Sequence, residues 1–534
     1  MEPNHRAPQG NSSADRRSPT ADQRPPTADR RPPTEDEPEG VAWKGALAVA
    51  LVVGGLVVWR ACFTAPEDAE SSAPAPSSAT SAAPAPGDPS DPAAPAQTPP
   101  RCAPAGPAPF VIGDAPPAPV AKDAGPEQGA GGGAADSVED LAPFAVEVGR
   151  GTTFAGGFAV GAQREAEGGT IAMVATLSAD GAQGKLVRLA RSRGDMDPPV
   201  VSGTGGAILA AMLEPNAGGR AIKMARIEGE HVTWGAELAE GRDESLALDI
   251  AASGERAVIV WDDVTRDGKR SRIMLASADV GSLRSVTSAR PVSQPSTDAE
   301  LPRVIARPGG YWLAYIARAE EPARRAAAEK GDDADEDTAA AGETIAHQWI
   351  EVVPLDETGA LTATPRAVTP KDGHVLAYDL TLGEDDGVIL AFRDDDTPSG
   401  SIGGRISAVL VRLGGVGEPR VLVGDREHDT PPEAALGVGA GVPALLRGAP
   451  GPGAADPASG RAGAVWLAIA NASGPTQLAA LTARGDLQGG LHAEPALGRG
   501  EPIAASAEAL LVAHPAGKAM KLDVLRCAPA TPGK

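Results

Sequence analysis

The chain has 534 residues, a formal net charge of −23, and only 3% aromatic residues. A nucleic-acid-binding face needs clustered positive charge to displace counterions from phosphate, so this acidity argues against a nucleic-acid partner. The 65 glycines and 51 prolines, with more Arg than Lys, are typical of a bacterial genome of high GC content.

Residues 1–40 are polar and contain a seven-residue pattern that occurs three times. The copies begin at Arg17, Arg24 and Arg31, and each carries a threonine, namely Thr20, Thr27 and Thr34. Pro pairs favour extended polyproline II, and alternating Arg and Asp keep the segment solvated, so we expect a disordered tail. The threonines could be phosphorylated, or the Pro pairs could dock a partner; repeat expansion of a disordered tail is the simpler explanation.

Residues 41–60 contain the apolar stretch Val41–Trp59, which predicts a transmembrane helix. At ~1.5 Å per residue, about 19 helical residues span about 28 Å, close to the ~30 Å thickness of the hydrocarbon layer. Trp43 and Trp59 would lie at the two interfaces, where amphipathic rings are favoured. A buried core helix is disfavoured by the polar, Pro-rich flanks, and a cleaved signal peptide by the poor cleavage site before Cys62.

Basic residues are more numerous before the span than after it. Arg24, Arg30, Arg31 and Lys44 lie on its N-terminal side, whereas Arg60 alone lies close on the other side. The positive-inside rule then places the tail in the cytoplasm. We therefore expect a single-pass protein of the inner (cell) membrane, held in the lipid bilayer by residues 41–60, with a large periplasmic or extracellular domain.

Residues 61–140 are rich in Ala, Pro, Ser and Gly, and they predict a disordered linker. If the part from Thr64 to about Asp140 is flexible, its roughly 77 residues give an r.m.s. end-to-end distance of ~50 Å. A spacer of this kind holds a domain away from the bilayer without fixing its orientation. Residues 529–534 predict a short C-terminal tail.

Residues 141–528 predict an all-β domain in which short apolar runs recur. Most runs are followed by a more alternating run, a turn and often a third run. The short apolar runs begin at Thr170, Gly206, Arg256, Tyr311, Gly387, Gly463 and Ala509. Short apolar runs bordered by Gly or Asp suit strands buried on both faces. About seven similar units predict a β-propeller of about six or seven four-stranded blades, with a β-sandwich as the alternative.

The segment Ser277–Arg284 resembles the Asp-box of sialidase-like β-propellers, whose pattern is Ser/Thr-x-Asp-x-Gly-x-x-Trp. Ser277, Asp279 and Gly281 match the pattern, whereas Arg284 replaces the aromatic residue. The resemblance implies a non-catalytic structural turn between the third and fourth strands of a blade. It implies no sialidase active site, because the Arg-Ile-Pro signature is absent and Tyr311 and Tyr315 lie in predicted buried strands.

Acidic runs follow three of the predicted buried strands, in loops that should join second and third strands. They contain Asp262, Asp263 and Asp267; Asp332, Asp333, Asp335, Glu336 and Asp337; and Asp394, Asp395 and Asp396. Such loops open on one face of a propeller, which predicts a shared acidic surface. This surface could bind Ca²⁺ or a basic partner, or it could simply solvate the loops. The second run lies in an acidic insertion, residues 319–343, and is no EF-hand because Thr338 occupies the position of the required Gly.

Cys102 lies in the predicted linker and Cys527 close to the end of the domain. In an oxidising compartment these two residues could form a disulfide that closes the ring and stabilises it by ~2–4 kcal/mol. The alternative is two unpaired thiols. Cys62, at the membrane boundary, is expected to be idle.

The sequence contains no P-loop, no nucleophile elbow and no His or Cys pair at metal-site spacing. An enzyme is therefore less expected than a binding protein, and no cofactor is predicted apart from the Ca²⁺ alternative. The sequence predicts a membrane-anchored, extracytoplasmic β-propeller that serves as a binding or scaffold module for a protein or glycan ligand. The alternatives are a degenerate glycan-processing enzyme and a sensor that relays binding to the cytoplasmic tail.

Overall fold

The computed structural model describes residues 101–113, 146–166, 168–216, 219–242, 247–266, 268–322, 344–395, 405–423, 443–447, 465–470 and 475–528. These residues form 31 β-strands in seven antiparallel sheets, and none of them is in an α-helix. The predicted all-β propeller is therefore confirmed, and it has seven blades of four or five strands.

Two short strands, β1 (Arg101–Pro104) and β2 (Phe110–Ile112), precede the first blade in the sequence. The first three blades then follow in chain order. They contain β3 (Val146–Phe154), β4 (Gly157–Ala166), β5 (Gly169–Ser178) and β6 (Gly184–Ser192); β7 (Val200–Thr204), β8 (Ala207–Asn216), β9 (Gly219–Glu228), β10 (His231–Trp234) and β11 (Ala239–Gly241); and β12 (Leu248–Ser253), β13 (Arg256–Val264), β14 (Ser271–Asp279) and β15 (Ser285–Pro291).

The fourth, fifth and sixth blades have the same order of strands. They contain β16 (Asp298–Arg307), β17 (Gly310–Pro322), β18 (Thr344–Leu355) and β19 (Arg366–Ala367); β20 (Val375–Leu382), β21 (Val388–Asp394), β22 (Arg405–Arg412), β23 (Gly415–Val416) and β24 (Arg420–Val423); and β25 (Pro443–Arg447), β26 (Val465–Ile469), β27 (Gln477–Leu481) and β28 (Leu487–Ala493).

The seventh blade combines the two ends of the domain. It contains β29 (Glu501–Ala505), β30 (Ala509–Ala516) and β31 (Ala519–Ala528), and β1 and β2 both pair with β31. The first strands of the seven blades, which we call the inner strands, lie beside one another around the ring: β3, β7, β12, β16, β20, β25 and β29.

The apolar runs of the sequence are explained by packing between neighbouring blades. In β13, Val258 and Val260 pack with residues of the fourth blade, whereas Ile259 and Trp261 pack with residues of the second. A second strand is thus buried on both faces, so it shows no polar alternation. Six of the seven runs are second strands; the run at Thr170 is the third strand of its blade, β5.

The structure moves one boundary of the predicted linker. Residues 61–140 were expected to be disordered up to a domain at 141–528, but β1 and β2 are strands of the propeller. Without them β31 would expose a row of unpaired backbone groups at the rim of the ring. Ile112 is fully buried in the core between the first and seventh blades, which holds β2 in place.

A disulfide joins the two ends of the domain. Cys102 and Cys527 are directly paired in the register of β1 and β31, and their Sγ atoms are 2.08 Å apart. The sequence separation of the pair is 425 residues, so the bond closes almost the whole ring.

Several predicted segments lie outside the described residues: the tail 1–40, the span 41–60, most of the linker, residues 323–343 of the acidic insertion, and the tail 529–534. In the part of the chain that the structure does describe, no helix could cross a bilayer.

Gly203 on inner strand β7 tests how closely the inner strands pack. A Cβ atom on Gly203 would lie 1.8 Å from the carbonyl oxygen of Thr153 on the preceding blade, whereas one on Gly206 would contact nothing within 4 Å. We expect Gly203→Ala to lower the free energy of unfolding by about 1–3 kcal/mol, as overpacking does. Gly206→Ala, the matched control, should change it by less than about 0.5 kcal/mol or stabilise slightly. Urea denaturation of both variants measures this; equal effects would refute the close approach.

A candidate site in the central channel

Polar side chains of the inner strands bind the backbone of the next blade. An inner strand is the edge of its sheet, so N–H groups on that edge need partners from outside the sheet. Four inter-blade bonds of this type supply them: Gly203 N to Thr152 Oγ1 at 3.1 Å, Ala252 N to Ser202 Oγ at 3.1 Å, Val304 N to Asp249 Oδ2 at 2.8 Å, and Leu445 N to Asp379 Oδ2 at 2.7 Å.

Arg150 on β3 reaches from the first blade to the fifth and sixth. Its Nη1 lies 2.8 Å from Asp379 Oδ1, and its Nη2 donates to the carbonyl oxygens of Leu380, at 3.1 Å, and Leu445, at 3.0 Å. Asp379 also accepts a bond from the Leu380 N–H at 2.8 Å. The guanidinium is therefore fixed in orientation, and it joins three blades across the channel.

Arg303 on β16 is a second guanidinium in the same network, and it is half-buried. Burial alone would lower the pKa of Arg303, but the carboxylates of Asp249 and Asp379, with Tyr378 and Glu501, outweigh burial and raise that pKa. The fourth blade thus contributes a positive charge that its neighbours stabilise.

Asp249 is buried and Glu501 is half-buried, and desolvation raises the pKa of each carboxyl group. At Asp249 the rise is opposed by Arg303 and Arg150 and by two backbone N–H donors. At Glu501 it is increased by Asp379 and opposed by Arg303. The network therefore places two guanidinium groups among three carboxyl groups, and the charges largely compensate one another.

A cavity of about 140 Å³ lies beside this network. Its lining consists of Arg150 and of residues that follow the network along the inner strands: Gly151, Thr152, Thr153, Thr381, Leu446, Ala504 and Ala505. Threonine hydroxyls can both donate and accept hydrogen bonds, and the fixed guanidinium can only donate. The exposed wall of the cavity is thus mainly polar.

The predicted acidic surface is described only in part. Asp262 and Asp263 lie within β13 rather than in a loop, and their carboxylates accept backbone N–H bonds from Ala247, at 2.7 Å, and Arg242, at 2.9 Å. A further bond, from Leu301 N to Asp262 Oδ2 at 3.0 Å, connects the third blade to the fourth. These two carboxylates therefore brace the blades.

The second described part of this surface belongs to the fifth blade. Asp394 ends β21 and accepts from His374 N at 3.2 Å, and buried Asp395 pairs with Arg393 at 3.0 Å. Asp267, Asp396 and the acidic run at residues 332–337 of the insertion lie outside the described residues. Among those described, no group of three or more His, Cys, Asp or Glu could hold a metal ion. The Ca²⁺ interpretation stays a prediction.

The Asp-box-like segment forms a turn between β14 and β15, at the place the sequence indicates. Asp279 Oδ1 accepts bonds from the Ser282 N–H, at 2.7 Å, and from its hydroxyl, at 2.8 Å, and these bonds lower the pKa of Asp279. Ser277 is fully buried, and Gly281 lies in the turn. Comparable Asp-centred turns occur in the first blade at Asp180 and in the fourth at Asp356.

All three tyrosines are buried, which leaves none placed as an exposed nucleophile. Tyr311 donates to the carbonyl of Arg256 at 3.0 Å, and burial raises the pKa of Tyr311 to about 12. Tyr315 donates to Glu351 at 2.7 Å. The hydroxyl of Tyr378 lies 2.6 Å from the carbonyl of Leu301.

Sequence reasoning missed the channel network: Arg150, Asp249, Arg303, Asp379 and Glu501. A signal was available, because each is an isolated charged residue at or beside an apolar segment, as in Leu-Asp-Ile and Tyr-Asp-Leu. An isolated charged residue is a weaker sequence signal than a run of acidic residues. A charge in a buried strand nevertheless needs a partner of opposite charge.

No family model matches this chain, and no curated protein matches it. Among solved structures it is similar to the β-propeller domain of the Trilobed protease from Pyrococcus furiosus, with 11% identity over 72% of this chain and 94% of that chain and a TM-score of 0.39. It is also similar to hydrazine synthase from Kuenenia stuttgartiensis (14% identity, 72% and 96%, TM-score 0.42). A third is the endo-arabinase from Bacteroides thetaiotaomicron VPI-5482 (10% identity, 51% and 87%, TM-score 0.28).

These similarities concern the fold alone and transfer no activity, substrate or partner to this chain. They give no support specific to sialidases.

Glu501→Gln tests the electrostatics of the channel. The folded-state pKa of Glu501 is raised above its usual 4.5, so the folded protein binds its proton more tightly than the unfolded chain does. The contribution of Glu501 to stability is then present at low pH and is lost as pH rises through the raised pKa. We expect Glu501→Gln to become progressively more stable relative to wild type as pH rises above 4.5, the usual pKa of the group.

Urea denaturation at several pH values measures this difference in the free energy of unfolding. Glu508→Gln, the same change at an exposed residue, is the control. A Glu501→Gln difference that is independent of pH, or of opposite slope, would contradict the raised pKa of this carboxyl group.

Proposed function

We propose that the protein is a non-catalytic binding module, anchored in the inner membrane by residues 41–60 with its propeller outside the cytoplasm, and that the channel cavity takes the end of a glycan. The observation that supports this most is the cavity itself, where a guanidinium fixed by three contacts lies among threonine side chains. Groups fixed before a ligand arrives lose little entropy on binding.

The charges around the cavity favour a neutral, hydroxyl-rich ligand. Arg150 is the charged residue of the cavity lining, and its charge is already compensated by Asp379, whose carboxylate lies 2.8 Å away. A sugar hydroxyl both donates and accepts, so it suits Thr and Arg together. Since a cavity of about 150 Å³ can hold a benzene ring, this one accommodates a single ring at a chain end.

Two of the three channel carboxyl groups favour binding over catalysis. Asp249 and Asp379 each accept two backbone N–H bonds, and Asp379 is also paired with Arg150. Carboxylates committed in this way are poor bases or nucleophiles. The described carboxylates of the predicted acidic surface are likewise bonded to the chain, so we place the ligand in the channel. Glycan processing and signalling to the tail are the competing hypotheses.

Calorimetric titration of the full-length protein tests the ligand class. The probes are neutral xylobiose, arabinobiose and cellobiose, anionic galacturonate, and cationic spermidine. We expect a neutral disaccharide to bind best, and Thr381→Val, which keeps the side-chain shape, to weaken that binding at least about tenfold, or ~1.4 kcal/mol. Thr233→Val, at an exposed strand position, is the control. Stronger binding of either charged probe, or none of any probe, would overturn the proposal, and release of monosaccharide would favour the glycan-processing hypothesis.

The location is tested separately by trapping thiols in intact bacteria that express the full chain. We expect the protein in the membrane fraction with Cys102 and Cys527 linked, because disulfides persist in oxidising compartments. Mass spectrometry of alkylated, non-reduced peptides measures this. Recovery in the soluble fraction, or alkylation of both thiols, would contradict an anchored extracytoplasmic domain.

A further inference from the structure

The N-terminal strand β1 is the only covalent route by which the preceding residues join the propeller. It is four residues long and is paired along one edge only, with β31. Three of its four residues are Cys, Ala and Pro, and none of the four is buried. On its own, such a short outer strand is held weakly.

The register of β1 and β31 places both ends of the domain at the same point. Arg101 is paired with Ala528, and the strands are antiparallel, so the pairs follow in order from there: Cys102 with Cys527, Ala103 with Arg526, and Pro104 with Leu525. Tension applied through residues before Arg101 therefore loads one pair at a time. Because each residue pair bears the whole force in turn, a strand pulled in this geometry detaches at a lower force than one whose pairs share the load.

The disulfide occupies the second pair in that order. Once the Arg101 pair opens, the load passes to the covalent bond between Cys102 and Cys527, and so to β31. That strand is paired with β30 over eight residue pairs, and Leu522, Val524 and Leu525 are buried. The covalent bond thus transfers tension from the weakest strand of the blade to one of its core strands.

We propose that the Cys102–Cys527 disulfide is a mechanical stop, which prevents β1 from peeling off under tension and keeps the propeller ring closed. This role does not depend on the ligand of the channel. The anchor of the proposed function would be a natural source of tension, but the inference needs only a pull on the N-terminal segment.

The stop is chemically reversible, which makes it testable on one sample. A thiolate of a dithiol reagent attacks one sulfur of the bond, the other cysteine leaves as a thiolate, and the second thiol of the reagent then displaces the first cysteine and closes the reagent's own disulfide. Cys102 is partly exposed and Cys527 is buried, so the first attack falls on Cys102. Dithiothreitol serves as the reagent.

The first measurement is hydrogen exchange on the folded full-length protein before and after reduction. The reporter is the Ala105 N–H, which donates to Val524 O at 2.7 Å just beyond β1. We expect its exchange to accelerate at least about tenfold on reduction, while amides of β30 keep their protection. Unchanged exchange at Ala105 would overturn the proposal, because β1 would then hold without the bond.

The second measurement pulls the full-length protein between peptide tags at its two ends in optical tweezers. In the oxidised protein, and in Cys62→Ser, force bypasses the ring and no propeller unfolding step is expected. After reduction, or in the Cys102→Ser/Cys527→Ser variant, β1 should peel first at low force. Further steps should then release the chain between the cysteines, which are 425 residues apart in sequence, or roughly 1,400–1,500 Å at full extension. Long steps in the oxidised protein, or loss of the whole ring in one event without early peeling, would contradict the stop.

Discussion

The ion pair between Arg150 and Asp379 is the constraint on which the centre of this propeller depends. Inner strands are sheet edges, and seven of them facing one channel leave backbone groups without partners in their own sheets. Asp379 satisfies two N–H groups and Arg150 satisfies two carbonyls, so their mutual charge fixes the first, fifth and sixth blades together. Either charge alone would be costly in such a buried position.

The same pair forms part of the cavity where we propose that the ligand binds. Because Arg150 is held by the opposite blades, its guanidinium is a fixed part of the cavity wall rather than a mobile side chain. Asp249 repeats the arrangement between the third and fourth blades. Carboxylates that brace blades are unsuited to proton transfer, which is why we propose binding rather than catalysis for this channel.

The propeller can be predicted from the sequence because the second strand of each blade packs between two neighbouring blades. Such strands, for example β13, are therefore long apolar runs that can be recognised without a structure. The sequence does not predict β1, because Arg-Cys-Ala-Pro resembles the Pro-rich residues around it. This segment becomes a strand because it pairs with the edge of β31. The sequence also does not predict the channel network, since Asp379 contacts Arg150 and Leu445, which are far away in sequence. Asp262 can be recognised in the sequence as part of an acidic run, but its bonds to Ala247 and Leu301 form only in the folded chain.

The most direct test of this account is a double-mutant cycle of Arg150→Met and Asp379→Asn, with the free energy of unfolding as the measured quantity. If the pair holds the blades together, each single variant leaves the other charge uncompensated, and the two effects should couple by about 1–3 kcal/mol. The more exposed pair Arg256 and Asp279, at 2.9 Å, is the matched control and should couple more weakly. Additive effects at Arg150 and Asp379 would contradict the central role of this ion pair.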